Sequence, residues 1–234
     1  MRIDVVTLFP AMFAGVIGES ILKIAREKGA LDIRLVDLRD FTTDKHRKVD
    51  APPFGGGPGM VIMADPVFRA VEHLRAHGAA DSELVLLSPA GRKLDQRLAR
   101  KLAKSKGLIL LCGHYEGFDE RVSEGLKPLE VSIGDYVLTG GELPAMVLLD
   151  AVGRLQPGVV GCAGSLEEES FSDGRLEYPQ YTKPREYRGM VVPDVLVSGH
   201  HAKIAEWRRE RADERTAARR PDLKKKRTPK RKER

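Results

Sequence analysis

Short apolar segments alternate with segments of helical periodicity along the first two thirds of the chain, which leaves few folds open to it. Residues 2–9 are rich in β-branched side chains, and residues 107–112 are almost wholly apolar. Residues 141–155 repeat their apolar side chains at helical spacing. Strands that alternate with helices favour a mostly parallel sheet covered by helices. Residues 1–160 are therefore predicted to form one α/β domain.

The same patterns give approximate bounds for each element. Strands are predicted at residues 2–9, 31–38, 83–87, 107–112 and 129–133. Helices are predicted at residues 12–27, with Ser20 as a cap, and at 65–77, 95–104, 119–124, 141–155 and 201–220. Residues 39–59 have no periodicity of their own, so they are predicted to form a long loop that is functional or mobile.

Three loops that contain glycine follow predicted strands, at residues 88–91, 113–117 and 134–141. In open α/β sheets, ligands bind beyond the carboxyl ends of the strands, so the three loops are expected to converge on one pocket. Glycine has no Cβ, so its backbone can approach a ligand closely, which would suit a flat polar group such as a nucleobase. For the stretch from Ser132 to Pro144, the alternative is a tight turn before a helix, and composition alone does not separate the two.

The long loop passes from basic residues at 45–48 into a run of glycine and proline at 52–59. It matches neither phosphate-binding fingerprint, because no Gly-Lys-Ser/Thr follows and no strand precedes the glycines. Basic side chains beside a compliant backbone would suit an RNA backbone and a splayed base. A flexible surface loop is the alternative.

Beyond the α/β domain, residues 161–172 are small, acidic and non-periodic, as an interdomain linker is. Residues 173–223 are predicted to form a small, largely helical domain. The last eleven residues, 224–234, hold eight Lys/Arg and one Glu, so this tail accounts for the whole excess of the net charge of +6. A basic tail raises affinity for phosphate backbones. A disordered solubilising end is the other interpretation.

The remaining totals exclude several classes of protein. No run of 18 apolar residues and no signal-peptide pattern occurs, so a cytoplasmic protein without a membrane span is expected. The only two cysteines, Cys112 and Cys162, do not suggest a disulfide framework. These cysteines and the pair His200 and His201 lack the spacing of a zinc site, so no metal is expected.

Several longer motifs resemble those of the bacterial tRNA (guanine-N1)-methyltransferase family of the SPOUT superfamily. They occur in collinear order and extend to about Leu223. The motifs are Leu8-Phe9-Pro10, Pro53-Phe54-Gly55-Gly56-Gly57-Pro58-Gly59-Met60, Gly113-His114-Tyr115-Glu116-Gly117, the stretch Ser132 to Pro144, Pro179-Gln180-Tyr181-Thr182-Lys183-Pro184, and Ser198-Gly199-His200-His201.

The resemblance implies a fold and a reaction that periodicity does not reveal. The family has a SPOUT-type α/β fold, in which the three glycine loops form a C-terminal trefoil knot around S-adenosylmethionine, followed by a small helical domain that binds tRNA. It acts as a homodimer and methylates N1 of guanosine 37 of tRNA, just 3′ of the anticodon. An active site shared between subunits is therefore expected.

The resemblance also assigns residues to each ligand. For the cofactor it implies Leu87, Ser88, Pro89, Gly113, Glu116, Ile133, Gly134, Asp135, Tyr136, Val137, Leu138, Gly140, Gly141 and Pro144. For the RNA substrate it implies His46, Asp50, Gly59 and Tyr115.

The chemistry requires a base and a cation. Guanine N1 carries a proton at neutral pH, so a general base must remove it, while a cation or donor holds the charge that develops on O6. By resemblance the base is Glu169, where better-known members carry Asp, and the cation is Arg154. Glu167 and Glu168 lie beside the base, and like charges raise one another's pKa. Asp173 is the second candidate for the base.

Two other functions compete with methyl transfer. A catalytically silent RNA-binding protein on the same scaffold is the main alternative, because the usual Asp is missing. A nucleotide-hydrolysing α/β protein is disfavoured, because no phosphate-cradling Gly-x-x-x-x-Gly-Lys-Ser/Thr occurs.

Removal of residues 224–234 is expected to weaken tRNA binding modestly and to flatten its salt dependence, because fewer basic side chains then displace counterions from phosphates. Titration of full-length and truncated chains with tRNA over a series of salt concentrations checks this. Equal binding at low salt would rule out a role for the tail.

Overall fold

The computed structural model describes residues 1–160 and 169–225. The chain divides into two compact units, Met1–Gly161 and Cys162–Arg234. Cys162, Glu167, Glu168, most of the predicted linker and all but the first two residues of the predicted tail lie outside the described residues. The predicted domain bounds therefore stay predictions.

A five-stranded parallel sheet forms the centre of the first unit, and a two-stranded antiparallel ribbon lies outside it. The strands of this unit are β1 Arg2–Thr7, β2 Asp32–Asp37, β3 Asp50–Ala51, β4 Val61–Ile62, β5 Glu83–Lys93, β6 Gly107–Cys112 and β7 Leu129–Ser132. The order across the sheet is β2-β1-β6-β5-β7, and β3 pairs with β4 in the ribbon.

Helices connect the strands of the first unit. They are α1 Ala14–Ile17, α2 Ser20–Glu27, α3 Ala64–Leu74, α4 Gln96–Leu102, α5 Arg121–Leu126 and α6 Glu142–Gly153. Asp95 caps α4, where its carboxylate accepts a hydrogen bond from the Leu98 N–H at 2.8 Å. Short 3-10 turns at Pro10–Phe13 and Leu38–Phe41 and a π turn at Arg75–Ala79 complete the connections.

Both faces of the sheet are covered, because its central strands are apolar on both sides. Every residue of β6 is buried. Leu108 and Leu110 pack into one core cluster with the helices of one face, while Ile109 and Leu111 pack into the cluster of the other face. Continuous burial of this kind is typical of parallel strands between helical layers. The predicted α/β class is confirmed.

Two local predictions are wrong, one about the end of a strand and one about the continuity of a helix. Strand β5 was expected to end at Leu87, but it continues through residues 88–91 to Lys93 because its last residues pair with β7 across a register shift. The helix expected at 12–27 is broken into a 3-10 turn and two short helices. Ser20, expected as a cap, is the first residue of α2 with φ of 51°, and Glu19 precedes it.

The second unit combines a short hairpin with helices. Its elements are β8 Glu186–Tyr187, β9 Met190–Val191, α7 Asp194–Val197, α8 His201–Arg219 and α9 Asp222–Lys225. Thr216 is fully buried, and its hydroxyl donates to the Ala212 carbonyl at 2.6 Å and accepts from the Leu176 N–H at 2.9 Å. This one side chain ties the segment before the hairpin to α8.

Within residues 1–160 and 169–225, none of the helices combines the length and the apolar character that crossing a bilayer would need.

Replacement of Leu110 by Ala is expected to lower the free energy of unfolding by about 2–5 kcal/mol, because it leaves a cavity in the central strand. Leu110 is fully buried, whereas Val137, the control position, is 83% exposed. Val137→Ala is expected to change stability by less than about 0.5 kcal/mol. Urea unfolding of both variants at one protein concentration and without ligand measures the difference, and equal losses would contradict this account of the core.

Candidate functional site: a glycine-loop cavity

A cavity of about 500 Å³ lies beyond the carboxyl ends of β6 and β7 and beside the register shift of β5 after Leu87. Residues 88–90, 113–117 and 133–141 all contribute to its walls, apart from the Asp135 side chain. The predicted convergence of these three segments on one pocket is therefore confirmed, although residues 88–90 belong to the extended end of strand β5 and do not form a loop. A volume in this range suits a ligand the size of a cofactor, since small-molecule sites measure roughly 300–1,000 Å³.

Nearly all of the residues expected to bind the cofactor line this cavity. They are Leu87, Ser88, Pro89, Gly113, Glu116, Ile133, Gly134, Tyr136, Val137, Leu138, Gly140, Gly141 and Pro144. Asp135 is the exception. Its carboxylate forms an ion pair with Lys93 at 2.8 Å and is 88% exposed, so its side chain is directed to solvent.

The loops 113–117 and 134–141 touch through their backbones. The Gly141 N–H donates to the Gly113 carbonyl at 2.7 Å, and His114 and Gly140 form an isolated antiparallel bridge. A Cβ on Gly141 would lie 2.7 Å from the Cys112 Cα and 2.8 Å from the Gly113 nitrogen. No side chain fits between these backbones, so the approach of the two loops requires glycine.

The loop of residues 134–141 also gives the cavity an apolar wall. Tyr136, Val137 and Leu138 are exposed although their side chains are large and apolar. The Tyr136 ring lies over Gly134, where a Cβ would overlap it. Apolar surfaces beside free backbone groups form the combination that holds a flat heterocycle by packing and orients it by hydrogen bonds.

A buried carboxylate behind the cavity was missed by the sequence analysis. Glu142 is 2% exposed, and its Oε1 accepts a hydrogen bond from the Thr7 hydroxyl at 2.8 Å. It lies in the first turn of α6, where the helix dipole favours negative charge. Burial raises the pKa of the nearby Cys112 thiol, and the Glu142 charge raises it further. The only sequence signal was an acidic residue directly after two glycines.

Another missed residue, His114, lines the cavity. Its ring packs edge-on against Phe9 and against Tyr115, with centroids 4.8 Å apart in both cases. Its Nδ1 is sealed from solvent without a hydrogen-bond partner among the described residues. His114 stands inside a motif that carried the family resemblance, but nothing in its spacing indicated a contact with Phe9.

Of the four residues expected to bind RNA, one lines the cavity and a second contacts a residue that lines it. Tyr115 lines it in a left-handed conformation with φ of 58°. Gly59 lies against the Glu116 carboxylate, which a Cβ at position 59 would overlap. Asp50 pairs with Ile62 in the β3–β4 ribbon, and His46 is exposed in the preceding loop. Neither of these two lines the cavity.

The two residues expected to carry the chemistry belong to different units. Arg154 directly follows α6 in the first unit and is half-buried. Glu169 belongs to the second unit, where it lines a separate cavity of about 250 Å³ together with Asp173 and Arg175.

Asp173, the second candidate for the base, is held by an arginine. The Arg175 Nε donates to the Asp173 carboxylate at 2.8 Å, and a further nitrogen of the same guanidinium binds the same oxygen. The hydrogen bonds from Arg175 lower the pKa of Asp173, although partial burial opposes them. Asp173 is therefore a weaker base than an unpaired carboxylate would be.

In the described part of the chain, no group of three or more His, Cys, Asp or Glu side chains is arranged to hold a metal ion.

Fold and site together define an α/β protein whose glycine loops build a cofactor-sized cavity at the carboxyl edge of a parallel sheet. Comparison with known proteins gives the family. Residues 1–226 match the family tRNA (Guanine-1)-methyltransferase TrmD. The chain belongs to this family, and the resemblance drawn from its motifs is confirmed.

Individual relatives agree with the family assignment. The chain is 57% identical over 223 residues to the tRNA (guanine-N(1)-)-methyltransferase of Geobacillus kaustophilus, a match that covers 95% of this chain and 91% of that protein. It is also 57% identical to the Moorella thermoacetica enzyme of the same name, over 95% of this chain and 90% of that protein. For the Bacillus cereus enzyme the identity is 54%, over 95% and 91%.

Replacement of Gly141 by Ala is expected to abolish most binding of the cofactor that the resemblance implies, S-adenosylmethionine, because the added Cβ must push apart the backbones that close the cavity. Gly15→Ala is the matched control, since a Cβ there meets nothing within 4 Å. Calorimetric titration of both variants with S-adenosylmethionine measures the effect. Wild-type affinity in Gly141→Ala would show that the contact with Gly113 is not needed for the site.

Proposed function

We propose that the protein transfers the methyl group of S-adenosylmethionine to N1 of guanosine 37 of tRNA, next to the anticodon. The observation that carries the proposal is the cavity that the loops 113–117 and 134–141 form with the end of β5, in a chain of the tRNA (guanine-1)-methyltransferase family. The relatives' names specify tRNA and guanine N1. The methyl donor and the position in the tRNA are the further steps of the proposal.

The residues present fit the proposed donor. Tyr136 and Leu138 offer apolar surface for the adenine, while Gly113, Gly140 and neighbouring residues offer backbone groups to its polar edge. Asp135 would contribute through its backbone, because its carboxylate is paired with Lys93. When bound, S-adenosylmethionine supplies an activated methyl group on a positively charged sulfur. The protein's contribution is to orient that group towards the acceptor nitrogen.

We further infer that the loops of residues 113–117 and 134–141 belong to a trefoil knot. Support comes from the hydrogen bond between Gly141 and Gly113 and from the bridge between His114 and Gly140, which bring two distant segments into close contact. True knots are very rare among folds, so only the family relationship motivates this topology.

Glu169 is the proposed general base, because the family resemblance implies a catalytic acid at this position, directly before Ser170 and Phe171. Asp173 stays the second candidate, and the hydrogen bonds from Arg175 lower the pKa of its carboxyl group and so weaken it as a base. Glu169 keeps the carboxylate of the family's usual Asp with one more methylene. Once it takes the N1 proton, negative charge spreads to O6 of the guanine, and the Arg154 guanidinium is proposed to stabilise that charge.

The proposal includes a homodimer with an active site shared between subunits. Neighbouring elements of the first unit, among them α2 and α6, expose large apolar side chains at Met12, Ile21, Ile24, Leu143 and Val147. Leu143 and Val147 are one helical turn apart, so they share a face of α6. Exposed apolar side chains in this arrangement are typical of a protein interface.

The domains have separate tasks in this proposal. Residues 1–160 bind the methyl donor, residues 161–172 form a linker that carries the base, and residues 173–223 bind tRNA. His46, Asp50, Gly59 and Tyr115 are proposed to contact the anticodon loop, and the basic tail to contact phosphates. Because tRNA is the substrate, we place the reaction in the cytoplasm.

A catalytically silent RNA-binding protein remains the competing function, motivated by the replacement of Asp by Glu169. Binding of S-adenosylmethionine separates the two only partly, because a silent relative can keep its cofactor site. Analysis of methylated nucleosides in tRNA after incubation with protein and S-adenosylmethionine separates them fully.

Replacement of Glu169 by Gln is expected to lower turnover by about 100-fold or more while affinity for S-adenosylmethionine stays unchanged, because the amide cannot accept the N1 proton. Single-turnover methylation of tRNA and cofactor titration measure the two quantities. Glu169→Asp, which restores the usual residue of the family, is the control and is expected to remain active.

A normal methylation rate in Glu169→Gln would place the base elsewhere. Asp173→Asn would then be tested first, because Asp173 lines the same cavity of the second unit. Loss of turnover in Asp173→Asn alone would reverse the assignment of the base.

A further inference from the structure

Phe54 is completely exposed, although phenylalanine is among the most apolar residues. Its relative exposure is 101%, and the next most exposed large apolar side chain in the described ranges is Val137 at 83%. Val137 lines the cavity and has the proposed cofactor to cover it. Phe54 does not line the cavity, so the proposed cofactor would not cover it.

The backbone holds Phe54 at the tip of a tight turn. The Gly56 N–H donates to the Pro53 carbonyl at 3.2 Å, and Gly55 has φ of 88°, as a type II turn requires at its third residue. Phe54 occupies the outer corner of this turn. A Cβ on Gly55, Gly56 or Gly57 would meet nothing within 4 Å, so the loop presents the ring without packing against it.

The two ends of the same loop are hydrogen-bonded to residues of the cavity wall. The loop starts and ends in the β3–β4 ribbon, where Asp50 pairs with Ile62. The Glu116 N–H donates to the Met60 carbonyl at 3.0 Å, and the Ile62 N–H donates to the Gly117 carbonyl at 2.9 Å. Because residues 116 and 117 line the cavity, the turn that carries Phe54 rises from its rim.

The segment before the turn is positively charged. Lys45, Arg47 and Lys48 precede it, with Asp44 and Asp50 as the nearest acids in sequence. Arg47 is partly neutralised by ion pairs with Asp37 and Asp40. The two lysines are exposed and form no ion pair within residues 1–160 and 169–225. An exposed aromatic ring beside basic side chains is the combination that binds single-stranded nucleic acid, by stacking and by charge.

We propose that Phe54 stacks on an unpaired base of the tRNA anticodon loop next to the target guanosine and so helps to hold the target out of the base stack. This inference rests on the proposed function and adds a residue that selects the RNA substrate. A guanine inside a stacked loop cannot direct N1 at a donor in a protein cavity, so it must leave its neighbours. An aromatic ring can replace the lost stacking partner, and such replacement tolerates any base.

The test measures tRNA binding and methylation separately. Purified full-length protein is titrated with tRNA that carries 2-aminopurine next to the target guanosine, whose fluorescence changes when a ring stacks on it. The variants are Phe54→Ala, Phe54→Leu and Phe54→Trp. Leucine is the matched control, because it keeps an apolar side chain of similar size but has no flat face.

Phe54→Ala is expected to weaken tRNA binding and to lower kcat/KM for tRNA by roughly tenfold, with loss of the fluorescence change. Affinity for S-adenosylmethionine and the melting temperature are expected to stay the same, because the side chain is exposed. Leucine is expected to behave as alanine, and tryptophan as wild type.

Two results would overturn the inference. One is a kcat/KM within twofold of wild type in Phe54→Ala, and the other is full function in Phe54→Leu, which would show an apolar contact with protein, such as a second copy of the chain. Failure of the proposed function is a different result. Wild-type protein would then bind tRNA without methylating it, and the fluorescence and binding of the variants would still report on stacking.

Discussion

The hydrogen bond between the Gly141 N–H and the Gly113 carbonyl is the contact on which the site depends. It joins two segments that the sequence separates by a helix and a strand, at a distance that leaves no space for a side chain. Glu142 continues this arrangement into α6, where its buried carboxylate is bound by Thr7 at the end of β1. Burial of a carboxylate is costly unless it is hydrogen-bonded, so the Glu142 side chain depends on its hydrogen bond from Thr7. The Gly141–Gly113 backbone contact and the Glu142–Thr7 hydrogen bond together fix this wall of the cavity.

Features of the fold and the site that depend on local sequence were predictable, whereas features that depend on contacts between residues distant in the chain were not. The sheet was predictable because β6 is apolar along its whole length, which demands cover on both faces. Loop convergence followed from the general geometry of parallel sheets. The end of β5 was not predictable, because its last residues are held by pairing with Val131. The burial of Glu142 likewise depends on a neighbour distant in the chain, Thr7.

The two units differ in how they are suited to chemistry. The cavity of the first unit combines backbone groups and apolar surface with the side chains of His114 and Glu116. The cavity of the second unit contains two carboxylates, Glu169 and Asp173, beside Arg175. Arg175 donates hydrogen bonds to Asp173 and lowers the pKa of its carboxyl group. Glu169, the proposed base, has a side chain one methylene longer than the usual Asp.

The exposure of Phe54 is informative because the stability of the folded protein would favour burial of this side chain. Burial of a side chain of this size stabilises a protein by about 1.5–3 kcal/mol, and Phe54 forgoes all of it. The four glycines of its loop with positive φ also lose more backbone entropy on ordering than other residues would. A loop with these costs is best explained by a partner that covers the ring. The cavity at the foot of the loop indicates where that partner's reacting base must lie, and the lysines before the turn indicate that the partner is anionic.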